Sequence, residues 1–203
     1  LDLITHEQRQ ALRKQVRKCR QQLSINDQQQ AAIDLCQQLI QQPSIINAQT
    51  ISVYLANDGE ISLEPFIQWC WQQNKKVYLP VIHPFSSGHL LFLHYQQTTT
   101  LVANKYNILE PKLAVTNVLP FNQLDVLIAP LVAFDAQGNR LGMGGGFYDR
   151  TLSSWHNQKI LSEQVHLSPI GVAHDCQLLT AIPSQHWDIP LPQIITATKH
   201  YSW

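Results

Sequence analysis

The chain has 203 residues, enough to bury a substantial core as one domain, or two small ones at most, without disulfide or metal staples. Fourteen Lys and Arg balance 14 Asp and Glu, and only 14% of residues are charged against an ordinary ~25%, glutamine filling much of the gap. No global basic field is present, which excludes a nucleic-acid coat protein and a polybasic membrane binder.

The first residues lack the basic-then-apolar pattern of a signal peptide, and no run approaches the ~20 apolar residues of a membrane helix, so a cytoplasmic protein is expected. Thr5 and Gln8 fit a capping box, and Ala11, Leu12, Val16, Cys19 and Leu23 recur at helical spacing, predicting an amphipathic helix over residues 5–23. Its other face carries Arg9, Arg13, Lys14, Arg17, Lys18 and Arg20. Scattered cations are by default a solvated face, but six in twelve positions are concentrated for so lightly charged a chain. Arg9 and Arg13, at i and i+4, share a side and can clamp one polyphosphate. A second helix is predicted over residues 26–41, stopped before Pro43.

Strands follow at residues 50–56, 76–82 and 90–95, with a helix capped by Ser62 between the first two. Residues 96–124 read as irregular chain with short strands. The most apolar run, residues 126–134, predicts a central strand buried on both faces. A turn at 135–139, a glycine cluster and a helix from Phe147 to about Trp155 come next. Two late strands, 169–173 and 194–197, flank a short helix near 177–181. Strands alternating with helices predict a three-layer α/β/α single domain with a mostly parallel, mixed central sheet. Cys19, Cys36, Cys70 and Cys176 form no CxxC pair and read as free thiols, the three in helical patterns as buried ones. Tyr54, Phe85, Phe92 and Trp187 read mainly as core, with one or two available to stack on a ligand.

The chemistry concentrates at residues 140–150, where Gly142, Gly144, Gly145 and Gly146 lie between the most apolar strand and a helix start. Glycine permits positive φ and lets backbone N–H groups converge, and the helix N-terminus favours an anion, so a phosphate is the natural guest. A tight turn needing glycine for steric reasons is the alternative. Asp149, in the first turn of the helix, is either a complement to the helix dipole or, beside a phosphate, a Mg²⁺ ligand. Asp175 and Asp188 are possible second contributors.

Arg140, Leu141, Gly142, Gly144, Gly146, Phe147, Tyr148, Asp149 and Arg150 together resemble the R-L-G-x-G-x-G-[FY]-Y-D-R signature of the 5-formyltetrahydrofolate cyclo-ligase (methenyltetrahydrofolate synthetase) family. The likeness runs through Leu12, Arg13, Lys14 and Arg20, Tyr54 and Leu55, Gly59 and Glu60, Tyr78 to Pro80, Ile108 to Pro111, residues 130–135 and Gly171 to Ala173. It implies ATP-driven, Mg²⁺-dependent closure of 5-formyltetrahydrofolate to 5,10-methenyltetrahydrofolate by a monomer that binds small molecules only. Carried over by position, Arg9, Arg13, Arg140, Gly142, Met143, Gly144, Gly145, Gly146, Phe147 and Tyr148 would face ATP. Arg13, Leu55, Glu60, Met143, Gly144, Gly145, Gly146 and Phe147 would line the folate site, and Asp149 would hold Mg²⁺. Arg140 would neutralise the transferring phosphate and Tyr148 would orient the formyl oxygen. The chain departs from the family where Gly145 and Arg9 replace lysines and where Pro192 replaces a second metal-binding acid, leaving Asp188 as the nearest candidate. A sugar-phosphate isomerase and a non-catalytic nucleotide- or folate-binding regulator remain as alternatives.

Overall fold

The structure, a computed structural model, describes residues 2–161 and 166–203. Helix α1 (Asp2–Gln21) begins before Thr5, so the expected capping box lies inside the helix. Helix α2 (Ile25–Leu39) has a capping box of its own: Ser24 Oγ accepts from Asp27 N–H at 3.1 Å and Asp27 accepts from Ser24 N–H at 3.3 Å. Beyond the expected stop, Pro43 opens a further short helix, α3 (Pro43–Asn47), as proline does readily at a first helical position.

Strand β1 (Thr50–Ser52) is shorter than its apolar run suggests. It is followed by α4 (Glu64–Gln72), β2 (Lys76–Ile82) and β3 (Leu90–Tyr95), the last two with the predicted bounds. Ser62 sits one residue before the N-cap of α4 and accepts from Glu64 N–H at 3.2 Å. The irregular stretch holds a hairpin, β4 (Leu101–Ala103) with β5 (Leu109–Pro111), and the short β6 (Val118–Leu119).

The predicted central strand splits. β7 (Val126–Pro130) stays in the main sheet, and β8 (Ala133–Asp135) pairs elsewhere, with β9 (Arg140–Leu141) and β11 (Leu178–Leu179). Pro130 has no N–H to continue the ladder, and the Leu131 and Val132 carbonyls turn to Gln177 Nε2 at 2.7 and 2.9 Å. Helix α5 (Phe147–Ile160) precedes β10 (Ser168–Val172), β12 (Gln193–Ile195) and β13 (His200–Ser202). The helix expected near residue 177 is a 3₁₀ turn over Asp175–Gln177, passing directly into β11.

Among the described residues, eight strands pair in the order β13-β12-β10-β7-β1-β2-β3-β6. The five from β12 to β2 are parallel and the flanking pairs antiparallel, so the sheet is mixed with a parallel centre. Strand alternation separates the core into layers. Val126, Ile128, Val77, Leu79, Ile170 and Val172 pack under α2, α3 and α4. Leu127, Ala129, Tyr78 and Ile194 pack on the opposite face against Leu152 and Trp155 of α5. The expected three-layer α/β/α architecture is therefore observed.

Helix α1 lies outside these layers, against β8 and the 3₁₀ turn. Its buried side is cationic: Arg9, Arg13 and Arg20 are buried beside Val16, whereas Ala11 and Cys19 from the expected apolar face are exposed. Hydrophobic periodicity found only part of the buried side, Val16 and the half-buried Leu12, because the arginines beside them find carbonyl and carboxylate partners inside.

Candidate functional site

β1 leads to β2 on one side of the sheet, while its neighbour β7 leads to β10 on the other. Such a divergence leaves a crevice beyond the carboxyl ends of the strands. Two depressions open here. One, of about 480 Å³, is bounded by the segment after β1 (Tyr54, Leu55, Glu60), by Pro80 and Ile82 of β2, by Leu131, and by the β4–β5 hairpin. The other, of about 530 Å³, lies between Arg9 and Arg13 of α1, the start of α5, and Trp187 and Asp188. Gly142, Gly145, Gly146 and Asp149 line both, so the glycine segment is the partition between them.

Two glycines there adopt left-handed angles, Gly144 at φ +101° and Gly146 at φ +64°. Gly146 is the N-cap of α5 and no side chain caps that end, so first-turn N–H groups of a 14-residue helix are left for a ligand. Arginines pin the partition from two sides. Arg13 Nε donates to Gly142 O at 2.8 Å. Arg150 donates Nη2 to Gly145 O and Nε to Gly88 O at 2.9 Å, tying the segment to the loop before β3.

Charges in the polar cleft are largely matched. Arg9 forms a two-pronged pair with Asp188 at 2.5 and 2.9 Å and donates to Pro183 O at 2.7 Å. Arg140 Nη2 donates to Asp149 Oδ1 at 2.6 Å, and the same oxygen accepts Ile189 N–H at 3.2 Å. Arg13 bonds a carbonyl rather than a carboxylate. Burial lowers its guanidinium from the ordinary value and nearby Arg9 lowers it further, as expected for a cation short of compensating charge.

The partition also carries unspent polarity toward the apolar cavity. Arg140 is 4% exposed, and its Nε is buried without a hydrogen-bond partner. Burial lowers its guanidinium, with Asp149 and Asp188 opposing. Burial drives the Tyr148 hydroxyl far above its ordinary value, with Glu60 adding to the rise, so Tyr148 stays a phenol and can donate. Burial likewise raises Glu60, opposed by the Asn57 N–H that it accepts at 3.1 Å.

The chain is similar to known proteins along nearly its whole length. A model of the 5-formyltetrahydrofolate cyclo-ligase family matches residues 5–197. The chain belongs to that family. It is 47% identical to the 5-formyltetrahydrofolate cyclo-ligase of Escherichia coli K12 over 188 residues, covering 93% of this chain and 100% of that one. The Haemophilus influenzae cyclo-ligase is also 47% identical, with 93% and 97% covered. A solved 5,10-methenyltetrahydrofolate synthetase from Aquifex aeolicus superposes with a TM-score of 0.78 at 25% identity, over 96% of this chain and 92% of that one. A synthetase from Mycoplasma pneumoniae shares the fold, with a TM-score of 0.70 at 24% identity over 93% and 98%. The protein is thus an enzyme of the cyclo-ligase family.

The residues expected to bind ATP, folate and Mg²⁺ fall on one or both depressions, and of the two further acids Asp188 lines the polar cleft whereas Asp175 lines neither and accepts the Thr198 hydroxyl at 2.7 Å. Leu55, Glu60, Arg140, Met143, Phe147 and Tyr148 line the apolar cavity, and Arg9, Arg13 and Gly144 line the polar cleft. Arg140, Met143, Phe147 and Tyr148 line the apolar cavity alone, and Arg13 and Gly144 the polar cleft alone. Sequence reasoning missed the hairpin residues Asn104, Tyr106 and Glu110 on the cavity wall. Asn104 Nδ2 donates to Glu110 at 2.9 Å while its Oδ1 accepts Tyr106 and Ile108 N–H, shaping the hairpin turn. The segment read only as irregular chain with short strands, and nothing local said that it lay over the cavity. Phe85 (93% exposed) and Trp187 (57%) are not core, unlike Tyr54 and Phe92, and Trp187 lines the polar cleft. All four cysteines are free, Cys36 and Cys70 buried and Cys19 and Cys176 exposed.

Proposed function

We propose that the protein closes 5-formyltetrahydrofolate to 5,10-methenyltetrahydrofolate with ATP, releasing ADP and phosphate. One observation carries this reading: an apolar cavity and an arginine-lined cleft meet at a single glycine partition with an uncapped helix N-terminus. The cavity is of ordinary size for a small-molecule site and takes the folate. The cleft takes the triphosphate, with Arg13 and the N–H groups of residues 144–147 around its phosphates. The two reacting groups then meet across Gly145 and Gly146.

The formamide oxygen is a poor leaving group, so it first attacks the γ-phosphorus and ADP departs. N10 of the folate then attacks the formyl carbon. The carbon–oxygen bond breaks, phosphate leaves, and N10 loses its proton. Neither step needs a protein nucleophile; both need placement and charge neutralisation. In this reading the Arg140 guanidinium, whose Nε has no partner inside the protein, neutralises the transferring phosphate, and the Tyr148 phenol holds the formyl group. Glu60 accepts from the donor edge of the pterin.

The donor set fits Mg²⁺ held jointly with phosphate. Among the described residues no cluster of three His, Cys, Asp or Glu side chains could hold a metal alone, and Mg²⁺ needs only one or two carboxylates when phosphate oxygens complete its shell. Asp149 takes its bonds from Arg140 and Ile189 on Oδ1, which would leave Oδ2 available to hold the metal. When bound, Mg²⁺ would neutralise phosphate charge. Asp188, engaged by both Arg9 and Gln185 N–H, serves Arg9 instead of the metal in this reading. The free thiols suit a reducing, cytoplasmic setting.

The test is growth of methenyl-folate absorbance from 5-formyltetrahydrofolate. Growth that requires both ATP and Mg²⁺ is expected. A protein that binds ATP and folate without turnover would support the regulator alternative, and turnover of a sugar phosphate without ATP would support the isomerase.

A further inference from the structure

The reading above leaves the most deeply buried charge in the molecule unused. Arg20 is 0% exposed, and a buried cation is kept only where hydrogen bonds satisfy it. Its bonds go to one place. Nε donates to Asp58 O at 2.8 Å, Nη2 to Asp58 Oδ2 at 2.9 Å, and Nη1 reaches Leu131 O at 3.4 Å. Arg17 Nε donates to the same carboxylate at 2.6 Å, and Gln21 donates to its other oxygen.

Asp58 itself is conformationally unusual. It sits at φ +55°, followed by Gly59 at φ +74°, so two consecutive residues are left-handed. A non-glycine residue keeps that backbone where its surroundings over-determine it, and here three donors from the last turns of α1 do so. The turn places Glu60: its N–H donates to Asn57 O at 3.0 Å, and its carboxylate accepts Asn57 N–H at 3.1 Å. Asn57, Asp58 and Glu60 all line the apolar cavity, and Arg20 Nη2 lies 4.0 Å from Glu60 Oε1.

We propose that Arg20 and Asp58 are positioning residues of the apolar cavity, fixing Glu60 in its wall through the left-handed turn at Asp58 and Gly59. Neither residue contacts the reacting atoms; both act through Glu60. The proposal rests on the cyclo-ligase reading only for the identity of the cavity's ligand.

The experiment compares Asp58→Ala, Asp58→Asn, Glu60→Gln and the Asp58→Ala/Glu60→Gln double variant. Binding of 5-formyltetrahydrofolate and of ADP is titrated separately, beside hydrogen exchange of the ligand-free chains. Asp58→Ala is expected to weaken folate binding about tenfold or more, the scale of a lost charge-assisted hydrogen bond, and to leave ADP within about twofold. Asp58→Asn, which tolerates the left-handed angle, falls between wild type and Asp58→Ala and keeps the test usable if the alanine variant does not fold. The double variant is expected to bind folate no more weakly than Glu60→Gln alone, because Asp58 acts through Glu60. The Glu60 amide should exchange faster in Asp58→Ala. Parallel loss of ADP affinity, fully multiplicative folate losses, or unchanged folate affinity despite faster exchange would overturn the proposal. Wild-type protein that binds ADP but not 5-formyltetrahydrofolate would overturn the substrate reading instead, while the exchange rates still decide whether Asp58 holds the turn.

Discussion

The two depressions on either side of the glycine partition are built by opposite means. The polar cleft draws on the glycine segment and the helix α5 that continues it, on one helix whose arginines stand four residues apart, and on the short stretch 186–189. The apolar cavity is assembled from the ends of β1, β2 and β7 and from a hairpin fifty residues or so away in sequence from the first of them. In the cleft, charges are set before a ligand arrives, with Arg9 paired to Asp188 and Arg140 to Asp149. In the cavity, a few polar groups, Glu60 and Tyr148 among them, stand in a mainly apolar wall. The partition belongs to both, so substitutions should sort into three classes: those that damage both substrates, the nucleotide alone, or the folate alone.

The largest effect is expected on the partition. Arg140→Met removes the buried cation of the partition and leaves the Asp149 carboxylate without its cationic partner. Steady-state turnover with both substrates saturating should fall on the order of 10²–10³-fold, the cost of losing one donor to developing charge. Arg140→Lys should not restore it, because an ammonium lacks the planar fork that serves Asp149 and a ligand together. Next comes Asp149→Asn, which should keep the fold and raise the Mg²⁺ requirement roughly 10–100-fold. Unchanged turnover across a Mg²⁺ titration would reduce Asp149 to a partner for Arg140.

Arg13→Ala should raise the ATP requirement by about 1.5–3 kcal/mol and leave the folate requirement alone, whereas Lys18→Ala, on the exposed side of α1, should stay within about 0.5 kcal/mol for both. Equal behaviour of the two variants would reduce the cationic side of α1 to solvation.

Two neighbouring glycines sharpen the comparison further. Gly144→Ala places a side chain at φ +101° and should cost about 1–3 kcal/mol in a thermal melt, with ATP use falling further than stability. Gly145 has no such angle, but a Cβ there would stand 2.8 Å from the Phe147 ring, which lines the apolar cavity. Gly145→Lys should therefore fold and bind ATP equally well or better while weakening folate. Lost ATP binding with an intact melt would contradict the placement of the triphosphate.

The smallest effect concerns acid. The hydrogen bond from Arg17 and the nearby Arg20 hold the Asp58 carboxyl below its ordinary value. The stability it contributes is thus fully present above the usual carboxylate range and is lost as pH falls through its folded value. Burial raises Glu60, two residues on, so ionised Glu60 opposes folding and that opposition fades as pH falls. Thermal melts between about pH 6 and pH 3 should lose stability, and the slope should flatten in Asp58→Asn.

The same contrast explains what the sequence revealed. β2 and β3 matched their predicted bounds because alternation and flanking turns are local signals, and the glycine partition was legible because four glycines, two arginines and an acid sit within eleven positions. The buried side of α1 was legible only in part. Periodicity treats arginine as solvent-seeking, and nothing near residue 20 announces that Asp58 waits inside to receive it. The break after Pro130 was hidden likewise, since residues 131–134 are as apolar as the strand before them and only Gln177, far along the chain, redirects their carbonyls. The hairpin over the cavity read only as irregular chain with short strands, because neither strand exceeds three residues.

The most direct test of the central claim, that formyl oxygen and γ-phosphorus meet across the glycine partition, follows one oxygen atom. 5-Formyltetrahydrofolate labelled with ¹⁸O in the formyl group is turned over with ATP, and the released phosphate is weighed by mass spectrometry. The account predicts one ¹⁸O in each phosphate for each methenyl-folate formed. Label appearing in water, with unlabelled phosphate, would show that ATP is cleaved without capturing the formyl oxygen and would contradict it.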